Sequence, residues 1–164
     1  MSRSAYDIDY GYLWSKGYRG IIFDIDNTLV EHNEPATVRA EKLFSDLKDI
    51  GFRTSVVSNN REPRVKLFAE AVGCEYVYRA AKPMPDGYRS AMNKMGSDTD
   101  STFVVGDQLI TDIWGANNAG LKSIMVGKVA FHEDIHIYFK RVVESVIVFI
   151  YKITHRKRSV EDLL

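Results

Sequence analysis

Two aspartates follow an apolar run near the start of the chain. Residues 20–25 read Gly-Ile-Ile-Phe-Asp-Ile, so that Asp24 and Asp26 stand two positions apart, with Asn-Thr-Leu directly after them. Side chains two positions apart on a strand point to the same side, and two carboxylates there repel unless a cation separates them or one is protonated. The run predicts a buried strand of a parallel sheet, and the carboxyl ends of such strands are where open α/β sheets place reactive groups. The pair therefore predicts a reactive site rather than a simple helix cap.

Three more polar clusters follow predicted strands further along the chain. They are Ser58-Asn59-Asn60, then Lys82-Pro83, then Gly106-Asp107-Gln108 with Asp112 a few residues later. Taken singly, these are ordinary features: a turn serine, a surface lysine and an aspartate that caps a helix. Because the carboxyl ends of neighbouring parallel strands meet at one edge of a sheet, the clusters are expected to converge on one crevice.

The residue types in this crevice suit phosphate chemistry. Three crowded carboxylates, Asp24, Asp26 and Asp107, require a hard divalent cation, and a site with few oxygen ligands and open positions suits Mg²⁺. Lys82 and Ser58 complement the oxygens of a phosphoryl group. Since no histidine, cysteine or serine–base pair follows a predicted strand, the expected nucleophile is a carboxylate, which gives an aspartyl-phosphate.

The elements that must position these residues alternate between strand and helix. This alternation predicts a parallel sheet with helices on both faces, and we expect the strand order 3-2-1-4-5. Several of the predicted helices end at a glycine, as helix C-termini commonly do. The predicted strands span 20–25, 53–57, 75–78, 102–105 and 122–126, and the predicted helices lie near 36–50, 62–72, 85–96 and 109–119.

The four motifs, in this order, resemble those of the haloacid dehalogenase (HAD) superfamily of phosphohydrolases. They read Asp24-x-Asp26-x-Thr28-Leu29, Ser58-Asn59, Lys82-Pro83 and Gly106-Asp107 with Asp112. Finer details, such as Arg64 shortly after Ser-Asn-Asn, are similar to the YqeG-like proteins of HAD subfamily IIIA. The resemblance covers about residues 20–127 and implies a HAD-like Rossmannoid fold, which is a three-layer α/β sandwich with a central parallel sheet.

The resemblance also implies a role for each motif residue. Asp24 is expected to attack phosphorus and to bind Mg²⁺. Asp26 is expected to protonate the leaving oxygen, then to activate water, and to bind the metal through its main-chain carbonyl. The phosphoryl group would be held by Ser58, Asn59 and Lys82. Asp107 would complete the metal site, and the supporting residues would be Thr28, Arg64 and Asp112.

The intervals between the motifs are short. Residues 27–57 have room for one helix and one strand, as do residues 59–81, and neither interval has room for the lid domain that many relatives carry. We therefore expect a capless, open site that suits a phosphate on something large. YqeG-like sequences resemble the phosphatidylglycerophosphate phosphatases of mitochondria and plastids, so phosphatidylglycerophosphate, converted to phosphatidylglycerol, is the expected substrate. A sugar phosphate, a nucleotide or a phosphoprotein is the alternative.

Length and composition limit the number of domains, the partners and the cellular compartment that we expect. A chain of 164 residues suits one domain with a single core, and its net charge of zero gives no overall attraction for nucleic acid, so none is expected as a partner. Cys74 is the only cysteine, which excludes an internal disulfide and agrees with a reducing compartment. No run approaches the ~20 apolar residues of a spanning helix, and the first residues do not resemble a secretory signal, so we expect a cytoplasmic protein.

Composition also divides the chain into three parts. We expect an aromatic N-terminal segment over residues 1–18, a HAD-like catalytic domain over 19–130, and a basic C-terminal helix and tail over 131–164. Residues 139–153 place their apolar side chains on one arc of a helical wheel and precede the basic cluster 155–158, which predicts an amphipathic helix. Such a helix packs on its own domain or on a partner subunit, or it holds the protein peripherally at the inner face of an anionic membrane.

Two other classes of function remain to be weighed. The segment 132–136, His-Glu-Asp-Ile-His, matches the two-histidine pattern of zinc proteases, but it has no convincing third ligand except Glu144 or Glu161. A non-catalytic scaffold is expected to have lost the nucleophile, the lysine or a metal carboxylate, and this chain has all three. Hydrolysis of a phosphate monoester with Mg²⁺ as cofactor is therefore the function that the sequence favours.

Overall fold

A five-stranded parallel sheet organises the domain. The structure is a computed structural model that describes residues 2–129. The strands are β1 (Gly20–Phe23), β2 (Arg53–Val57), β3 (Glu75–Val77), β4 (Thr102–Gly106) and β5 (Lys122–Met125). They lie in the order β3-β2-β1-β4-β5, which confirms the predicted order and the α/β fold class.

Strand β1 lies at the centre of the sheet, and all four of its residues are buried. Gly20 pairs with Arg53 of β2 on one side and with Thr102 of β4 on the other. A Cβ atom at Gly20 would lie 2.6 Å from the Thr102 hydroxyl oxygen, so this position has no room for a side chain. The apolar sequence and the small first residue of β1 therefore fit a strand enclosed on all sides.

Helices cover both faces of the sheet. They are α1 (Tyr10–Ser15), α2 (Val38–Ile50), α3 (Glu62–Val72), α4 (Asp86–Met95) and α5 (Gly115–Asn118). Residues of β1 alternate between two apolar clusters: Phe23 joins the one that includes Phe44 of α2 and Phe68 of α3, and Ile22 joins the one that includes Met92 of α4. This arrangement gives the three layers that the sequence predicts.

Local signals explain the bounds of the longer helices. The Thr37 hydroxyl accepts a hydrogen bond from the Ala40 amide at 3.2 Å and so caps the start of α2. At the other end of α2, Gly51 adopts a φ of +112°, which a residue with a side chain rarely adopts.

The bounds of two elements decide where the first site residues lie. Strand β1 ends at Phe23, so Asp24 and Asp26 lie in the following loop rather than on an extended strand. Helix α4 begins at Asp86, one residue after the predicted start, and Lys82 and Pro83 belong to the loop before it. The sequence Pro83-Met84-Pro85 keeps the helix from beginning earlier, because the residue before a proline disfavours helical geometry.

The segment after β4 begins with a wider turn than an α-helix has. Residues Leu109–Trp114 form a π-helical turn, in which the Ile113 amide donates to the Gln108 carbonyl at 3.3 Å. Only Gly115–Asn118 is α-helical, although the sequence predicts one helix over 109–119. Turns of this kind are uncommon and occur often at functional sites.

The aromatic segment at the start of the chain packs onto the core of the sheet. Tyr10 is buried, stacks edge-on against Phe23 and Phe52, and donates its hydroxyl to the Ala5 carbonyl at 2.7 Å. Ahead of it, Ser2 forms a parallel bridge with Val126, directly after β5.

Several predictions fall outside the described residues. They are the amphipathic helix over 139–153, the basic cluster 155–158, the tail 131–164 and the histidine pair 132–136. No helix among residues 2–129 is long and apolar enough to cross a membrane.

The packing of the N-terminal segment can be tested with two tyrosines of the same helix. Replacing Tyr10 by Ala should lower the free energy of unfolding by about 3–5 kcal/mol, because it empties a buried aromatic site. Tyr12 is 56% exposed, so Tyr12→Ala should change it by less than about 0.5 kcal/mol. Urea unfolding measures both values, and equal values would show that the segment does not contribute to the core.

Candidate active site

Asp24 is the first residue after β1, and its side chain is buried against a lysine. The Lys82 ammonium donates to Asp24 Oδ1 at 2.5 Å and to Asp112 Oδ1 at 2.7 Å. Burial acts to lower the pKa of Lys82, but Asp24 and Asp112 together raise it above its usual value, so the amine stays protonated. Each of the three side chains follows a different strand of the sheet. Asp24 lies in the loop after β1, Lys82 in the loop after β3, and Asp112 in the π-helical turn after β4.

The main chain of Lys82 is held by the side chain of Asn59. The Lys82 amide donates to Asn59 Oδ1 at 2.8 Å, and Asn59 Nδ2 donates to the Lys82 carbonyl at 3.3 Å. Sequence reasoning assigned Asn59 to phosphate binding. In the structure both ends of its amide are bonded to Lys82, so Asn59 positions the lysine and contributes to the wall of the same cavity.

Three buried carboxylates form a tight cluster beside this lysine. Asp24, Asp107 and Asp112 each offer one oxygen, and these oxygens lie within 4.8 Å of one another. The Thr28 hydroxyl donates to Asp107 Oδ1 at 3.1 Å, whereas Asp107 Oδ2 is buried and has no hydrogen-bond partner among the described residues. An orphaned carboxylate oxygen within such a cluster fits a divalent cation, because hard cations prefer oxygen ligands.

Crowding and burial change the acidity of these carboxyls. Burial, opposed by the Lys82 ammonium and reinforced by Asp112 and Asp107, raises the pKa of Asp24 from 3.8 to about 7. Burial and the charge of Asp112 likewise raise the pKa of Asp107. A bound divalent cation would act in the opposite direction, because its charge favours the ionised forms.

Asp26 lies apart from the cluster and has partners of its own. Its Oδ1 accepts from the Asn33 amide at 2.8 Å and lies 3.3 Å from Arg64 Nη2, and its Oδ2 accepts from Asn60 Nδ2 at 2.6 Å. His32 Nδ1 lies 4.0 Å from the same carboxylate. Asp24 and Asp26 are therefore each paired with a separate cation, Lys82 and Arg64, although sequence reasoning placed both carboxylates on one side of a strand.

Ser58 is the first residue after β2. Its side chain is buried, and its Oγ accepts from the Asn60 amide at 3.1 Å. It lines a cavity of about 160 Å³ together with Asp24, Asp26 and Lys82. A space of this size admits a phosphoryl group, and its walls carry one ammonium, two hydroxyls and two carboxylates.

Two larger cavities lie elsewhere in the domain. One, of about 490 Å³, is lined by residues such as Lys48, Arg53 and Glu75, and the other, of about 450 Å³, by residues such as Tyr6, Leu29 and Arg39. Neither is lined by a residue of the carboxylate cluster. The chemistry of the side chains, rather than the volume, therefore identifies the smaller cavity as the candidate active site.

Sequence reasoning missed part of this site. Asn60 and the Asn33 amide hold Asp26, and His32 and Thr111 line the cavity or its edge. The sequence places Asn60 at this crevice with Ser58 and Asn59 but gives no signal that it bonds to Asp26. Asn33 acts through its main chain, which leaves no signal in the sequence. Asp112, expected only to support the site, belongs to the carboxylate cluster itself.

Comparison with known proteins agrees with this geometry. The family model for HAD-hydrolase-like proteins matches residues 79–145. The glyceraldehyde 3-phosphate phosphatase of Pyrococcus abyssi is 28% identical over 52% of this chain and 40% of its own. Among solved structures, the cobalt-bound deoxy-D-mannose-octulosonate 8-phosphate phosphatase of Haemophilus influenzae aligns with a TM-score of 0.56 and 19% identity, covering 77% of this chain and 75% of that one. This last likeness concerns the fold.

A further relative is similar along most of the chain. The probable phosphatase YqeG of Bacillus subtilis is 41% identical over 137 residues, which are 83% of this chain and 80% of the relative. The aligned length is long enough to include the sheet and the loops that carry the motif residues. The chain therefore belongs to the YqeG-like phosphatases of the haloacid dehalogenase superfamily and is a hydrolase of phosphate esters.

Proposed function

We propose that the protein hydrolyses a phosphate monoester through an aspartyl-phosphate on Asp24, with Mg²⁺ as cofactor. The observation that carries the proposal is the contact between the Asp24 carboxylate and the Lys82 ammonium in the wall of a cavity the size of a phosphate. An ammonium in this place would bind the oxygens of the incoming group and offset their repulsion from Asp24.

The reaction has two steps. In the first, an Asp24 carboxylate oxygen attacks phosphorus, the ester bond breaks, and Asp26 gives its proton to the departing alcohol oxygen. In the second, Asp26 takes a proton from water, the water oxygen attacks phosphorus, and Asp24 is released together with inorganic phosphate. Ser58 and Lys82 hold the phosphoryl oxygens throughout both steps.

Separate partners for the two aspartates suit this division of labour. Asn60 and Arg64 hold the Asp26 carboxyl in one orientation, away from the carboxylate cluster. A group that moves a proton twice must keep its position between the two steps. Arg64 is itself held at a second point, because it also donates to the Glu34 carbonyl at 2.5 Å.

The metal would be held by the carboxylates of Asp24, Asp107 and Asp112, with the main-chain carbonyl of Asp26 as a further proposed ligand. Bound Mg²⁺ would supply positive charge to phosphoryl oxygens and carboxylates alike. The orphaned Asp107 oxygen supports the presence of a cation, and the cobalt-bound relative shows that its fold accepts a divalent ion.

Phosphatidylglycerophosphate is the substrate that we propose, which would place the protein in the cytoplasm at the inner face of the membrane. Only α2 and β2 separate the Asp26 loop from Ser58, and only α3 and β3 separate Ser58 from Lys82, so no lid interrupts the described residues. A head group that projects from a bilayer can enter such a site. The named relative that acts on glyceraldehyde 3-phosphate supports the alternative, a soluble phosphomonoester.

A substrate comparison separates these alternatives. Purified full-length protein with Mg²⁺ should release phosphate from phosphatidylglycerophosphate in mixed micelles faster than from glycerol 3-phosphate, a sugar phosphate or a nucleotide at equal concentration. A higher kcat/KM for any of the soluble compounds would assign the protein to the alternative.

Replacing Asp24 by Asn should lower turnover by at least about a thousandfold, because the nucleophile is lost. Asp46→Asn on the exposed face of α2 is the matched control and should leave turnover unchanged. Release of inorganic phosphate measures both variants. If the Asp24 variant kept more than about a tenth of wild-type turnover, the nucleophile would be another group.

Replacing Asp112 by Asn should weaken Mg²⁺ binding by at least about tenfold, because the variant loses a charged ligand. The control is Asp86→Asn, whose carboxylate is exposed at the start of α4 and should leave the affinity unchanged. Isothermal titration calorimetry measures the dissociation constants. Equal affinities would mean that Asp112 only holds Lys82.

The raised pKa of Asp24 predicts how stability depends on pH when no metal is bound. A carboxyl with a pKa of 3.8 in the unfolded chain and about 7 in the folded domain costs stability as pH rises between those values. In EDTA the melting temperature of wild type should therefore fall relative to that of Asp24→Asn between pH about 4 and about 7. Saturating Mg²⁺ should shrink this difference, whereas parallel curves in EDTA would show that Asp24 does not titrate in this range.

A further inference from the structure

Four large apolar side chains are exposed beside the active-site cavity. Met84 follows Lys82 and Pro83, and the other three belong to the π-helical turn after β4. The exposed fractions are 58% for Met84, 62% for Leu109, 62% for Ile110 and 55% for Trp114. We call these four residues the apolar rim.

Two segments carry the apolar rim, residues 80–85 and residues 108–119, and hydrogen bonds hold them and their neighbours together. Asn118 Nδ2 donates to the Pro83 carbonyl at 3.1 Å, and the Tyr88 hydroxyl donates to the Thr111 carbonyl at 2.8 Å. A Cβ atom on Gly115 would lie 3.2 Å from Pro83 Cα, so the two backbones approach closely. The rim therefore belongs to one surface rather than to two unrelated loops.

The two segments, residues 80–85 and 108–119, carry no exposed charge, and directly after the first the exposed Asp86 is paired with Arg89 at 3.5 Å. Residues 80–85 contain one charged side chain, Lys82, and residues 108–119 contain one, Asp112. Both are buried, and they are paired with each other at 2.7 Å. Exposed apolar side chains on an uncharged surface mark a site of contact with an apolar partner, whereas a surface that faces only water usually carries charge.

The rim is continuous with the cavity. Gln108 and Thr111 line the cavity, whereas Leu109 and Ile110, which lie between them in the sequence, are exposed. A substrate whose phosphate lies against Asp24 therefore has the rest of its molecule next to the rim. A sugar or nucleotide would present hydroxyls or charges to this surface, whereas acyl chains would bury it.

Cations stand next to both segments. Arg79 is exposed directly before residues 80–85, and Lys128 is exposed and near enough to Asp107 to interact with its charge. An apolar surface with basic residues at its border matches the layering of an anionic bilayer, in which phosphates lie above the acyl chains.

We propose that the apolar rim enters the surface of an anionic bilayer, with Leu109, Ile110 and Trp114 among the acyl chains and the cavity open to the head groups. This inference rests on the proposed hydrolysis of a lipid phosphate and assigns the surface that brings the enzyme to it. Tryptophan is well suited to this position, because its ring is apolar and its N–H prefers the polar interface.

Replacing Leu109 by Asp tests the rim, and Leu67→Asp on α3 is the matched control, because both leucines are 62% exposed. With full-length protein, Leu109→Asp should lower activity on phosphatidylglycerophosphate in phosphatidylglycerol–phosphatidylcholine vesicles by at least about tenfold. Both variants should keep wild-type activity on glycerol 3-phosphate, and Leu67→Asp should also keep it on vesicles. Equal losses in the two variants, or a loss on glycerol 3-phosphate as well, would overturn the proposal.

Tryptophan fluorescence tests the rim without any turnover. The chain has two tryptophans, so Trp14→Phe leaves Trp114 as the only reporter. On addition of the same vesicles without substrate, its emission should shift to shorter wavelength, and lipids brominated on the acyl chains should quench it. An unchanged emission while the protein co-sediments with vesicles would assign binding to another part of the chain and overturn the proposal.

Two further outcomes keep the rim and the substrate distinguishable. If Trp114 enters the vesicles but phosphatidylglycerophosphate is not hydrolysed, the rim is supported and the proposed substrate fails. If Trp114 becomes shielded as protein concentration rises in the absence of lipid, the rim joins two copies of the chain, and the membrane proposal is overturned.

Discussion

The architecture of the site depends on one buried ammonium. Lys82 lies between Asp24 and Asp112, and taking these charges out of water costs several kcal/mol per ion unless they are paired closely. Each of the three side chains comes from a different segment, so the pairing joins the chain after β1, β3 and β4. Adding Asp107 leaves three carboxylates for one lysine, and this negative excess is what a divalent cation would neutralise.

Parallel pairing brings those loops together in the first place. Because β1 pairs with β2 on one side and β4 on the other in matching register, Asp24, Ser58 and Asp107 emerge at one edge of the sheet. The helices behind them pack on two apolar clusters that contain none of the reactive groups. The residues that form the core are thus different from those that form the site, and a loop at the carboxyl edge can change in sequence without disturbing the core.

Much of this arrangement could be predicted from the sequence, because strand ends and motif order are local signals. The strand order, the convergence of Asp24, Ser58, Lys82 and Asp107, and the family follow from them. The bond between Asn59 and Lys82 could not be predicted, since it joins residues 23 positions apart through a main-chain amide. The burial of Tyr10 could not be predicted for a related reason. The apolar side chains of residues 1–18 do not recur at a helix or strand spacing, so their burial depends on the tertiary fold.

The bridge between Ser2 and Val126 has a consequence for how the sheet meets other chains. Unpaired strand edges are templates on which a second molecule can add a strand. At the C-terminal end of β5 the protein's own Ser2 occupies that edge, since the Ser2 amide donates to the Met125 carbonyl at 3.0 Å and the Gly127 amide to the Ser2 carbonyl at 3.2 Å. The opposite edge strand, β3, is three residues long and begins with an exposed glutamate. Intermolecular β-pairing at the margins of the described sheet is thus hindered by Ser2 at the end of β5, and by shortness and charge at β3.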